Sequence, residues 1–259
     1  MALFTDGPAS SMEDLTAQDS QLLDVTSVEG IDVTQKLALA QDELTLELNA
    51  LLTRLSYVDQ LFWLAPQPNI GSVVVTPALK LWHAFRSLEL VYTDAYNNQL
   101  NDRYAGKRDQ FHSRAQWAYQ TLVAAGIGIA SVPVPQAATP AVTAAAAAAP
   151  GAPLPDGTYY ATVAWVNAAG EEGVSALPAT IGTTGSSLRV QPVGDPPKTA
   201  AGWNVYVGAD PDSMALQNGS PMALGQTWLQ PAPLAAGRAP GSGQPPSYVK
   251  PVPRVIQRG

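Results

Sequence analysis

The stretch Thr76-Pro-Ala-Leu-Lys-Leu-Trp-His-Ala-Phe-Arg-Ser-Leu-Glu-Leu-Val-Tyr-Thr-Asp-Ala95 decides the first half of the fold. Thr76 offers a side-chain cap and Pro77 a preset first helical residue. Leu81, Phe85, Leu88, Tyr92 and Ala95 then recur at helical spacing on one face, with Trp82, Glu89 and Tyr96 beside them. Upstream, Leu37, Leu44, Leu48, Leu51, Leu55 and Val58 form a second such stripe. Asp32-Val-Thr-Gln35 opens that helix, and Pro66 and Pro68 stop it. A short helix of about ten residues begins at Ser11-Met-Glu-Asp14, and Gly30 ends that region. Gly71–Val75 is a short link. Downstream, the Thr76 helix is expected to end near Tyr104-Ala-Gly106. A further helix then runs from about Lys107 to Gly126 on Phe111, Ala115, Ala118, Leu122 and Ala125. Residues 1–130 therefore predict an antiparallel α-helical bundle.

The texture changes after that. Residues 131–153, SVPVPQAATPAVTAAAAAAPGAP, are uncharged and bracketed by proline, which predicts a linker with one helical turn in the alanines. From 154 to 240 short strands alternate with turn residues. Tyr159, Ala161, Val163 and Trp165 share one face of a strand that ends in the turn Asn167-Ala-Ala-Gly170. Ser187–Val190, Gly202–Val207 (with Trp203, Val205 and Val207 on one side) and Gln226–Leu229 follow, so a β-sandwich is predicted. Residues 241–259 read as an extended arm. It carries Lys250, Arg254 and Arg258, whereas the last acid of the chain is Asp212. The fold class is α+β with two domains.

Composition narrows the chemistry. The 259 residues contain no cysteine, which excludes disulfides, thiolate metal sites and thiol nucleophiles. The 14 Lys and Arg against 21 Asp and Glu give a net charge of −7, unsuited to a freestanding nucleic-acid binder. All of the net acidity falls in residues 1–130, which hold 15 acids and 8 bases. Charged residues are only 14% of the chain, fewer than usual, so the chain keeps soluble either by shape or by being covered in an assembly. No basic leader and no long apolar run point to secretion or a membrane span.

Candidate sites are few. Gly126-Ile-Gly128 lacks the third glycine and the preceding strand of a dinucleotide loop, and reads as a helix end. His83 and His112 lie on different helices without convergent donors, and read as satisfied helix-face histidines. Glu171-Glu172 follows a turn and reads as solvated. Asn101–Asp109 is a charged corner or an interface. No nucleophile, base and orienter assemble, so no catalytic residue, metal site or cofactor is expected and the chain is read as a non-enzyme.

Asp14–Asp24, Glu29–Asp32, Lys36–Glu43, and Leu81 through Tyr104 to Gly126-Ile-Gly128 resemble the helices of tailed-bacteriophage head–tail connector (adaptor, or neck) proteins. Gly157–Gly173 and Gly202–Gly208 resemble a fibronectin-III-like or immunoglobulin-like module. Together the resemblance spans roughly residues 10–235. It implies a homo-oligomeric ring, commonly of twelve subunits, in the virion neck, made in the host bacterial cytoplasm. Its partners would be the portal protein above and a tail or neck protein below. DNA would pass through the lumen without specific binding, and no membrane is involved. Under this reading Tyr248, Val249, Lys250, Arg254, Val255 and Ile256 form a portal-docking arm that orders on binding. Asp94, Asp102 and Asp109 are candidate lumen acids, and Trp82 and Tyr96 candidate subunit contacts. The rival expectation is a tail-associated binding module whose β-sandwich recognises a host-surface glycan.

Overall fold

The structure, a computed structural model, describes residues 1–56, 67–99, 102–146 and 153–250. The fold is α+β, with five α-helices and three antiparallel sheets among the described residues. The chain divides into two compact units. One comprises Gly7–Ala130 together with the chain from Pro246 onward; the other comprises Met1–Asp6 and Ser131–Pro245.

The helical unit contains α1 (Met12–Gln18), α2 (Leu22–Glu29), α3 (Val33–Ser56), α4 (Pro77–Gln99) and α5 (Asp102–Ala125). Its caps are those the sequence encodes. Ser11 Oγ accepts from the Asp14 amide while the Asp14 carboxylate accepts from the Ser11 amide. Gly30 closes α2 at φ +66°, a conformation costly for any residue with a Cβ. Asp32 Oδ1 accepts from the Thr34 and Gln35 amides, and Thr76 Oγ1 from the Leu79 amide. α4 is central, packing against the other four helices, so residues on both sides of its stripe are buried: Leu79, Trp82, Ala84 and Val91 as well as Phe85, Leu88, Tyr92 and Ala95. Leu37, Leu44, Leu48 and Leu51 of α3 and Phe111, Ala115, Ala118 and Leu122 of α5 complete this core. Leu55 has no described side chain, and Val58 lies outside the described residues.

The boundary between α4 and α5 differs from expectation. α5 begins at Asp102, so Tyr104, Ala105 and Gly106 lie inside it. Asp102 complements the helix N-terminus, and buried Tyr104 donates its hydroxyl to Glu29 at 2.9 Å, which offset the weak helix propensity of Gly106. The Gly71–Val75 link is also more structured than predicted. A 3₁₀ turn at Ile70–Ser72 is followed by Val73 and Val74, both fully buried. The Val74 amide donates to the Gly128 carbonyl, and the Ala130 amide to the Ser72 carbonyl. Gly126-Ile-Gly128, expected as a helix end, leads into strand β1 (Ile127–Ile129), which pairs antiparallel with β9 (Ser247–Val249). Gly128 is required there, because a Cβ would lie 2.6 Å from Thr76 Cγ2 and 2.9 Å from Pro246 Cβ.

The β unit holds β2 (Ala141–Ala145), β3 (Gly157–Asn167), β4 (Ala179–Thr183), β5 (Ser187–Gln191), β6 (Ala200–Gly208), β7 (Ala215–Leu216) and β8 (Trp228–Leu229). They form a sheet of order β2-β5-β8 and a sheet of order β4-β3-β6-β7. The long β3–β6 ladder sets Trp165 opposite Trp203, Val163 opposite Val205 and Ala161 opposite Val207. These six side chains share one buried core with Leu188, Val190 and Trp228 of the three-stranded sheet.

Three expected boundaries are corrected. The 131–153 linker is in part structural: Val134 and Ala137 are buried in the β core, and Ala141–Ala145 is a strand paired with β5, while half of the alanine run 144–149 expected to hold a helical turn lies outside the described residues. Ladder hydrogen bonds there override the helix preference of alanine. Residues 147–152 lie outside the described residues. The helical part does not start at residue 1, because Met1–Asp6 belongs to the β unit. Leu3 and Phe4 are buried, the Met1 amine donates to the Gln244 carbonyl at 3.0 Å, and Asp6 Oδ1 accepts from the Gln136 amide at 2.9 Å. The arm does not begin at 241 as a free extension. Gln244 is buried, accepting from the Val134 amide and donating to the Val132 carbonyl and Glu171.

Candidate functional site

α3, α4 and α5 frame an open groove of about 690 Å³. Its apolar lining is Leu44 and Leu46 from α3, Trp82 from α4, and Ala115 and Tyr119 from α5. Trp82 and Tyr119 meet with ring centroids 5.0 Å apart and planes tilted by 57°, which presents two aromatic surfaces at one place. Trp82 is there because it lies one turn before Phe85 on the buried side of α4, whereas Leu81 is only half-buried.

A charged chain runs along the same groove. Arg86 Nε lies 2.5 Å from Glu43 Oε2 on α3, and Nη1 lies 2.8 Å from Glu89 Oε2 one turn on. Glu43 and Glu89 hold the Arg86 pKa above its ordinary value despite partial burial. Glu89 Oε1 is 2.8 Å from His112 Nδ1, and Gln116 Nε2 is 2.8 Å from His112 Nε2. An amide nitrogen only donates, so this pattern assigns the ring proton to Nδ1, donated to Glu89. Glu47 lines the groove and is exposed, with no ion-pair partner among the described residues. The groove thus offers aromatic and aliphatic surface beside an excess of carboxylate. Among the described residues that line it, no nucleophile is paired with a base.

The other polar clusters are internal. Ser10 Oγ is 2.7 Å from His83 Nδ1, the spacing of a nucleophile and its base. Ser10 is 2% exposed and His83 0%, however, so no substrate reaches them. The Ser10 amide also donates to Nδ1, which places the proton on Nε2, donated to the Leu37 carbonyl at 3.1 Å. Burial lowers the His83 pKa to about 4, against a smaller opposing effect of that carbonyl. His83 is a neutral pin joining the N-terminal segment, α3 and α4. Asp19, in the α1–α2 turn, accepts from the Tyr92 hydroxyl at 2.5 Å and from Lys107 at 3.0 Å. Burial alone would raise its pKa, but Tyr92, Lys107 and the Gln21 amide outweigh it and hold the carboxyl below its usual range. Lys107 and Arg108 of the Asn101–Asp109 corner are therefore occupied within the fold, Arg108 pairing with Asp109 and lying 4.7 Å over the Tyr96 ring.

In the β unit the Glu171-Glu172 turn is not simply solvated. The Glu172 carboxylate accepts two bonds from Arg238 at 2.6 and 2.7 Å, one from the Tyr206 hydroxyl at 2.6 Å and one from Asn204 Nδ2. Burial would raise its pKa, but these donors overcome that and lower it. Glu171 accepts from Asn167 and Gln244. The turn at Asn167–Gly170 returns the chain beside β3, where Glu172 bridges to Val166 and stands over the outward side chains of β6. Its partner Arg238 is 66 residues away, and no local sequence signal announces it.

The remaining expected residues fall as follows. Trp82 is buried and lines the groove, and Tyr96 is half-buried with the Arg108 guanidinium 4.7 Å from its ring centroid. Asp94 pairs with Lys36 and Asp109 with Arg108, which neutralises two of the three candidate lumen acids, while Asp102 is exposed in the first turn of α5. Tyr248 and Val249 lie in β9, ordered against β1 by the chain itself rather than only by a partner, and Lys250 follows them. Arg254, Val255 and Ile256 lie outside the described residues. Among the described residues no three His, Cys, Asp or Glu converge to hold a metal, and no helix is long and apolar enough to cross a membrane. No protein-family model matches the chain, and no curated protein matches it.

Proposed function

We propose that the chain is an assembly component without enzymatic chemistry: one subunit of a head–tail adaptor ring in the neck of a tailed bacteriophage. The observation that carries this reading is apolar surface left open on the helical unit. Val28 is 74% exposed, Leu46 72% and Trp117 55%, on a chain with few charges to keep such a surface soluble. Large aromatic and aliphatic side chains in that setting suit a subunit interface. The excess of 15 acids over 8 bases in residues 1–130 favours unhindered passage of DNA, with Asp102 rather than the paired Asp94 and Asp109 contributing to the field.

The β unit is read as a variant fibronectin-III or immunoglobulin-like sandwich, supported by its two facing sheets and shared tryptophan-rich core. Its strand order departs from the immunoglobulin pattern, in which the first two strands lie in one sheet. Here β2 and β3 belong to opposite sheets, so the module begins at the position of the second immunoglobulin strand.

Imaging of virions carrying a density label on the chain tests the reading. A ring between portal and tail is expected. A projection at the tail tip, or absence from the particle, would overturn it, the first in favour of a receptor-binding module. Trp117→Glu is expected to abolish rings on negative-stain imaging while leaving the helical circular dichroism intact.

A further inference from the structure

α3 and α5 both pack on α4, and the groove opens between them. Its floor is buried Trp82 and Ala115. The surface a partner meets is exposed Leu46 and Glu47 on α3, with half-buried Tyr119 and exposed Gln116 on α5. Three carboxylates, Glu43, Glu47 and Glu89, line it against one arginine, Arg86. Arg86 takes up Glu43 and Glu89, which leaves Glu47 without an ion-pair partner among the described residues.

The far side of α5 carries the complement. Trp117 is 55% exposed, and Arg114, one turn before it, is exposed and has no ion-pair partner among the described residues. The Arg114 guanidinium lies 5.7 Å from the Phe85 ring centroid and 5.8 Å from that of Phe111. At ~3.6 residues per turn, Arg114 stands roughly 160° around the helix from Gln116, and Trp117 as far from Tyr119. This ridge therefore cannot reach the groove of its own chain. Ser113 and Thr121 beside it are short, so Trp117 stands proud of the helix surface.

We propose that Trp117 and Arg114 of one subunit dock in the α3–α4–α5 groove of a second copy, the indole on Leu46 and Tyr119 and the guanidinium on Glu47. The inference rests on the ring reading and names the surfaces that meet in it. An exposed tryptophan beside an unpaired cation fits an apolar groove with an unpaired carboxylate, and such aromatic and arginine side chains anchor subunit interfaces. Faces on opposite sides of one helix cannot both meet the same neighbour. The pairing is then head to tail, which closes into a ring or runs on as a filament.

A benzoylphenylalanine photocrosslinker in place of Trp117 of the full chain tests this. Products of twice the chain mass on a denaturing gel are expected, joined to the peptide that contains Leu46 and Glu47. Products of single-chain mass, joins elsewhere, or no crosslink would overturn the contact. Glu47→Arg and Arg114→Glu each set like charges together and should lower the yield about fivefold, and the two combined in one chain should restore it. Failure of the combined variant to restore the yield would overturn the charge pairing. Virion imaging separates the two readings. A neck ring whose Trp117 crosslinks lie elsewhere overturns the contact alone, whereas the expected crosslink in a chain absent from the neck overturns the adaptor reading alone.

Discussion

Acidification should loosen the helical unit through His83. The imidazole is fully buried and accepts from Ser10 while donating to Leu37, and burial lowers its pKa from 6.5 to about 4. Because the folded-state pKa is depressed, the unfolded chain binds the proton first. The stabilising contribution is complete above pH 6.5 and is lost as the pH falls from 6.5 toward about 4. At ~1.36 kcal/mol per pKa unit, lowering the pH from about 7 to about 5 should cost about 2 kcal/mol. Asp14 and Asp19 act in the same direction, but their pKa values are held below 3.8 and their window lies lower. Urea denaturation of the full chain, followed by far-UV circular dichroism at the two pH values, reads the effect. His83→Gln should be less stable near neutrality, by about 1–3 kcal/mol for the buried bonds it disturbs. Its stability should then change little with pH across the same interval. Equal pH dependence in the wild type and in His83→Gln would refute the argument.

Leu48 is fully buried on α3, and Leu48→Ala should cost about 2–5 kcal/mol in the same denaturation assay through the cavity it leaves. Gly128→Ala should drive a methyl against Thr76 and Pro246, costing about 1–3 kcal/mol and raising amide hydrogen exchange at Ser247–Val249 above that of the helices. Arg238→Ala leaves Glu172, whose side chain is buried, without its cation. Arg238 itself is half-exposed, so solvent softens the loss to about 1–2 kcal/mol, visible as a lower thermal midpoint of the β unit.

The long helices are legible because each repeats its pattern over five or more apolar positions, and α3 and α4 also carry side-chain caps at Asp32 and Thr76. β3 and β6 are legible by alternation, whereas their pairing appears only in the structure. The short strands are not legible. Ile127–Ile129 has three residues and no alternation to read, and its partner is about 120 residues away. Ala141–Ala145 carries helix-favouring alanines and becomes a strand only because Ser187–Gln191 presents a ladder. Tyr104 and Gly106 read as the end of the Thr76 helix when only local residues are weighed, whereas α5 begins at Asp102. At the groove, Trp82 stood out in sequence, but its setting did not. Glu43 meets Arg86 from a separate helix, and His112 meets Glu89 from a third, and no spacing within one helix encodes such encounters. Glu172 looks solvated in sequence for the same reason, since Arg238, which holds it, comes from a distant loop.

The chain passes from one unit to the other three times, after Asp6, after Ala130 and after Pro245. During synthesis the first six residues emerge before any helix, yet their partners Gln136 and Gln244 are made much later. The helical unit likewise waits for Ser247–Val249 to finish the β1–β9 ladder. Neither unit is complete in a nascent chain that has stopped short of residue 244, so Gln244 through Val249 close both. A cut at 130/131, the boundary that the change in sequence texture suggests, would return two fragments that each lack a strand or segment held by the other.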